Sequence, residues 1–105
     1  CGGRMEIVES SKKIDKWMDD RGITDNGTAM GQAIKTLEET TELLDAINHG
    51  NSEEIKDAIG DIYVTIRGVC RVLDLDMDEC VKLAYNQIKD RTGHLTSEGV
   101  FVKDE

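Results

Sequence analysis

An all-α fold is predicted by three features of this 105-residue sequence: no proline, only 4% aromatic residues, and apolar side chains recurring every three or four positions through four long segments. A 38% share of largely aliphatic hydrophobics favours helices packed on helices over a strand-rich sandwich. The length suits a single helical domain over residues 5–105, arranged as a four-helix bundle. A core of that size gains from association, so a homodimer or homotetramer is expected. Cys1-Gly2-Gly3-Arg4, ahead of Met5, reads as a vector-derived leader.

The first helix is expected from Met5 to about Asp20, with Ile7, Ile14, Trp17 and Met18 on one stripe and Arg21-Gly22 as its stop. Asp25-Asn26-Gly27-Thr28 is turn chemistry, and Thr28 is a suitable N-cap. The second helix runs from about Ala29 to Asn48, its apolar face formed by Met30, Ala33, Ile34, Leu37, Leu44 and Ile47. His49-Gly50 ends it, and Asn51 or Ser52 caps a third helix to about Leu73. Ile55, Ile59, Ile62, Tyr63, Ile66, Val69, Cys70 and Leu73 make that helix the most buried of the set. After the turn at Asp74-Leu75-Asp76, a cap from Asp76 with Glu79 opens a fourth helix to about Arg91, and Gly93 stops it. The tail through Gly99-Val100-Phe101-Val102-Lys103 suits a short strand or hairpin.

Charge narrows the partners. A net charge of −9, from 22 acidic against 13 basic residues, disfavours duplex nucleic acid and anionic membranes. An anionic nucleotide stays compatible, because bound divalent cations invert the field of an acidic pocket. No apolar run approaches membrane-spanning length and no secretory core is present, so a cytoplasmic location is expected. Cys70 and Cys80 lie among apolar residues at helical spacing and read as buried thiols.

Acidic residues cluster where helices are expected to pack. Glu38 and Glu42, Glu39 and Glu42, and Asp57 and Asp61 are each three or four apart, so each pair shares a helix face. Two such faces brought together would repel unless hard, oxygen-seeking cations such as Mg2+ offset the charge. Asp61 interrupts an otherwise apolar run beside Gly60, a residue that costs about 1 kcal/mol relative to alanine in a helix. Glu53, Glu54, Asp19 and Asp20 read instead as solvated surface charge. Asp74-x-Asp76-x-Asp78 starts like a calcium loop but lacks the glycine and the final glutamate, and the histidines and cysteines lack zinc-ligand spacing.

Glu38-Glu39-x-x-Glu42, followed by an acidic helix ending at Asp61, resembles the E-E-x-x-E... E-x-x-D signature of the MazG-like, all-α nucleoside triphosphate pyrophosphohydrolases. Lys82, Asn86, Lys89 and Arg91 resemble the family's later basic and amide positions. The chain departs from the pattern at Ala58, where the family places glutamate, and offers Asp57 one residue earlier, as in shorter, phage-type members. The resemblance implies hydrolysis of (d)NTPs between the α and β phosphates to (d)NMP and pyrophosphate. Mg2+, with Mn2+ as the alternative, would be held by Glu39, Glu42 and Asp61, and Asp57 would ligate directly, act through a water or only shape the field. Glu38 or Glu39 would serve as base toward the attacking water. Lys82, Asn86, Lys89 and Arg91 would contact phosphate and sugar, and Trp17, the one tryptophan, would stack on the base or pack in a core.

Two rival readings accompany this one. Related phosphoribosyl-ATP or dUTP hydrolases share the metal logic and differ in the base and sugar pocket. A non-catalytic helical interaction module, or an inactive relative disabled by Ala58, would carry the same acidic face without chemistry.

Overall fold

The computed structural model describes residues 6–105, so the reading of Cys1-Gly2-Gly3-Arg4 lies outside the described residues. The elements are α1 (Ile7–Asp20), α2 (Ile23–Asn26), α3 (Ala29–His49), α4 (Ser52–Leu73), α5 (Met77–Ile88), β1 (Gly93–Leu95) and β2 (Phe101–Lys103). They fall into two compact units, one ending at Leu75 and the other running from Asp76 to Glu105. No helix among the described residues is long and apolar enough to cross a membrane.

Helix limits follow local chemistry. Thr28 accepts a hydrogen bond from the Gly31 amide and Asn51 accepts one from the Glu54 amide, so both long helices start at side-chain caps. Gly22 and Gly50 take left-handed φ of 76° and 69° where α1 and α3 end, a geometry that glycine reaches without a Cβ clash. The expected turn at Asp25-Asn26 is instead the end of α2, a single helical turn closed by the Gly27 amide on the Ile23 carbonyl. Asp76 caps α5 through the Asp78 amide, in place of the pairing expected with Glu79.

In the first unit, α3 and α4 form an antiparallel hairpin. Gln32 meets Gly68, where any Cβ would collide with the glutamine side chain, and Thr36 donates to Thr65 at 2.8 Å. Helix α1 runs parallel to α4 along three polar rungs. The Ser11 hydroxyl lies 2.6 Å from that of Tyr63, Asp15 accepts two 2.8 Å bonds from Arg67, and Asp19 accepts bonds of 2.7 and 2.8 Å from Arg71. Asp19 is exposed, in keeping with its reading as surface charge, and is a tertiary contact as well.

The apolar core is thin. Among the described residues, Met18, Ala46, Ala58 and Cys70 are its buried members, and α4 carries the largest share of buried positions, as expected. Of the apolar side chains expected to bury that helix, however, only Cys70 is buried, while Ile59, Ile66 and Leu73 are exposed. The apolar face expected on α3 does not go inside: Met30, Leu37 and Leu44 are 71%, 69% and 64% exposed, and Ile34 and Ile47 are also exposed. The inner face of α3 is built from threonine, alanine and carboxylate positions instead.

In the second unit, α5 precedes an antiparallel hairpin in which Gly93 pairs with Lys103 and Leu95 with Phe101. Gly99 turns the hairpin with φ of 82°. Cys80 is exposed because α5 has no buried residue, which corrects its reading as a buried thiol; Cys70 is buried, and neither is in a disulfide.

Candidate metal centre

The hairpin of α3 and α4 sets acid against acid. Glu39 and Glu42 share a face of α3 at three-residue spacing, and Asp61 reaches them from α4. One carboxylate oxygen from each lies within 4.8 Å of the others. These are three of the residues expected to hold a metal.

The grouping is electrostatically costly. Glu39 is pushed up to about 7, first by its hydrogen bond with Glu42, an arrangement two carboxyls hold only while sharing a proton. Desolvation and the charges of Glu42 and Asp61 add to that shift, and Lys35 opposes it. Asp61 is also raised, foremost by desolvation and then by the charges of Asp57 and Glu42. Glu39 Oε2 is buried without any hydrogen-bond partner, one of the few such side-chain atoms among the described residues. A buried acceptor with no donor, beside two more anionic oxygens, fits a small hard cation of the Mg2+ kind.

Neighbouring candidates separate by position. Glu38 is exposed, stands outside the group of three and pairs with Lys35 at 3.0 Å. Asp57 is exposed, stands outside the group of three and hydrogen-bonds with Asp61. It lines a cavity of about 300 Å³ with Glu42, Asp45, His49, Glu54 and Asp61. Ala58, where the family pattern has glutamate, is 5% exposed on the wall of the same cavity.

Trp17 is 45% exposed, with the Arg21 guanidinium 4.4 Å from its ring centroid. It lines a second cavity, of about 390 Å³, with Lys13, Ile14, Val64 and Asp61. Sequence reasoning missed Lys13 and Val64 as lining residues. The signal for Lys13 was its place four residues before Trp17, on the same face of the first helix.

Lys82, Asn86, Lys89 and Arg91 belong to the second unit. Lys82 pairs with Asp78 at 3.0 Å, and Lys89 forms the C-cap of α5. Asn86 and Arg91 line an open cleft of about 720 Å³ with Thr92 and Lys103.

A mostly helical chain with an all-carboxylate cluster between two antiparallel helices defines an acidic, oxygen-donor class of site. The model of the MazG nucleotide pyrophosphohydrolase domain matches residues 31–96, a span that contains Glu39, Glu42 and Asp61. The chain belongs to this MazG family. It is also 36% identical over 61 residues to a protein of Haemophilus phage HP1 (strain HP1c1) described as an uncharacterized 18.2 kDa protein in the rep-hol intergenic region. That match covers 58% of this chain and 37% of the phage protein, so the chain spans little more than a third of its curated relative. No solved structure matches it significantly.

Proposed function

We propose that this protein hydrolyses nucleoside triphosphates between the α and β phosphates, with Mg2+ held by Glu39, Glu42 and Asp61. The observation that carries this reading is the partnerless Glu39 Oε2 within a trio of carboxylates in which Glu42 and Asp61 raise the pKa of Glu39. Family membership supports the reaction class.

The bound ion would supply positive charge for phosphate oxygens and acidify a water for attack. Glu38, beside the ligands but outside their cluster, accepts the proton of that water; Asp57 supports Asp61 by a hydrogen bond. The water oxygen bonds to the α-phosphorus, the bond to the bridging oxygen breaks, and pyrophosphate leaves with the electron pair. Lys82, Asn86, Lys89 and Arg91 serve as phosphate and sugar contacts in this reading. Residues 5–105 are taken as one functional domain in this reading; the family match, over residues 31–96, includes residues of both compact units.

The same reading includes a second copy of the chain. Met30, Leu37 and Leu44 on α3, and Ile59, Ile66 and Leu73 on α4, repeat every seven residues and are all exposed. A seven-residue apolar repeat is the seam of supercoiled helix packing, so two hairpins laid together would form a four-helix bundle.

The direct test is hydrolysis in 18O-labelled water with Mg2+ and a panel of ribo- and deoxyribonucleoside triphosphates. Label in the monophosphate with unlabelled pyrophosphate is the expected outcome. Orthophosphate as product, or no product from any nucleotide, would contradict it.

A further inference from the structure

The cavity of about 390 Å³ between α1 and α4 shares Asp61 with the carboxylate cluster but is otherwise unlike it. Ile14, Val64 and the Trp17 indole make its wall largely apolar, and Lys13 is its one cation. Arg21 stacks 4.4 Å from the indole centroid, which holds the ring in place before anything enters. A pre-set aromatic edge, aliphatic walls and one polar group fit a flat heteroaromatic ring that presents a single hydrogen-bonding edge.

Lys13 makes no ion pair or hydrogen bond with any described residue, although Asp61 lines the same cavity. Its ammonium is therefore more than 4 Å from the Asp61 carboxylate, the side chain that the cavity shares with the cluster. A nucleotide whose phosphates lie at the cluster would bring its base, not its phosphates, toward that amine.

We propose that this cavity is the base subsite and that Lys13 selects bases carrying a carbonyl at their outer edge: uracil, thymine, guanine and hypoxanthine. The proposal rests on the nucleotide hydrolysis argued above and narrows its substrate class. An ammonium has three donors and no acceptor, so it bonds a carbonyl oxygen and cannot bond the exocyclic amine at the same place in cytosine or adenine. Charged hydrogen bonds of this kind correspond to about 10- to 100-fold in affinity.

The test combines turnover with binding. Pyrophosphate release is measured for dUTP, dTTP, dGTP, dCTP and dATP on the native chain and on Lys13→Met, and Trp17 fluorescence is titrated with the matching monophosphates. As the one tryptophan, Trp17 reports on the cavity whether or not hydrolysis occurs. The proposal expects kcat/KM at least about tenfold higher for the carbonyl bases, mostly through KM, and expects Lys13→Met to abolish that preference. Equal slowing of all five substrates by Lys13→Met would make the lysine a phosphate contact and overturn the proposal. Turnover with Trp17 fluorescence unmoved by any nucleotide would overturn the base subsite and leave the hydrolysis standing. Quenching selective for carbonyl bases without turnover would do the reverse.

Discussion

Asp15 and Arg67 join α1 to α4 through two parallel hydrogen bonds of 2.8 Å, with both side chains less than a fifth exposed. A planar guanidinium matches both oxygens of one carboxylate, and the surrounding helices shield the pair from water. The Asp15 bond is also the main reason the Arg67 pKa is raised. This rung fixes the helix that carries Trp17 against the helix that carries Asp61. Arg67→Ala leaves Asp15 without its partner and is expected to lower stability by about 1–3 kcal/mol in urea unfolding. Asp15→Ala with Arg67→Ala should cost less than the two separate losses combined; strict additivity would show that the pair contributes nothing as a unit.

Glu39 makes the metal-free chain sensitive to pH. Its folded pKa of about 7 lies above the ordinary value of 4.5, so the folded state binds more protons than the unfolded state between those values. Stability without metal should therefore fall as pH rises from 4.5 to 7 and stay low above it. Glu39→Gln should flatten that fall. Melting curves in EDTA across this range check the sign, and stability that rises by the same course in both proteins would contradict it.

Mg2+ should reverse the trend, because its ligands must be deprotonated. The rise in melting temperature on adding Mg2+ should be larger at pH 8 than at pH 5.5, and should be lost in Asp61→Asn. An undiminished Mg2+ shift in Asp61→Asn would remove that residue from the centre.

The exposed seven-residue repeat predicts a second copy over Leu37 and Ile66. Glu at both positions should convert the assembly to monomer in sedimentation or light scattering, with helical content retained. A native chain that sediments as a monomer at tens of micromolar would remove the seam.

Gly60 has no atom within 4 Å of where a Cβ would stand, so nothing within the described chain requires glycine there. Gly60→Ala should stabilise α4 by up to about 1 kcal/mol in urea unfolding of the monomeric Leu37→Glu, Ile66→Glu background. A loss of stability in that background would show a packing constraint inside the chain.

Much of this was legible in the sequence because it rests on local rules. Thr28, Asn51, Gly22 and Gly50 mark helix ends through caps and left-handed turns that depend on a few residues. Glu39, Glu42 and Asp61 stood out because acids at helical spacing inside apolar helices conflict with burial. Periodicity shows that an apolar stripe exists but not what covers it, and so Met30, Leu37 and Leu44 were assigned to a core that the single chain does not build around them. The rungs from Asp15 to Arg67 and from Asp19 to Arg71 were illegible for a different reason. Each pair lies 52 residues apart, and only the packing of α1 on α4 brings the two together. Lys13 shares a helix face with Trp17 in the sequence, but that spacing marks no site until α1 packs on α4 and a cavity forms beside it.

The central claim is tested most directly by Mg2+-dependent release of pyrophosphate from nucleoside triphosphates by the native chain, Glu39→Gln and Asp61→Asn, with folding of each checked by circular dichroism. The account predicts pyrophosphate from the native chain, none without Mg2+, and a loss of at least about a hundredfold in both folded variants. Turnover that survives in either variant, or that proceeds in EDTA, would contradict it.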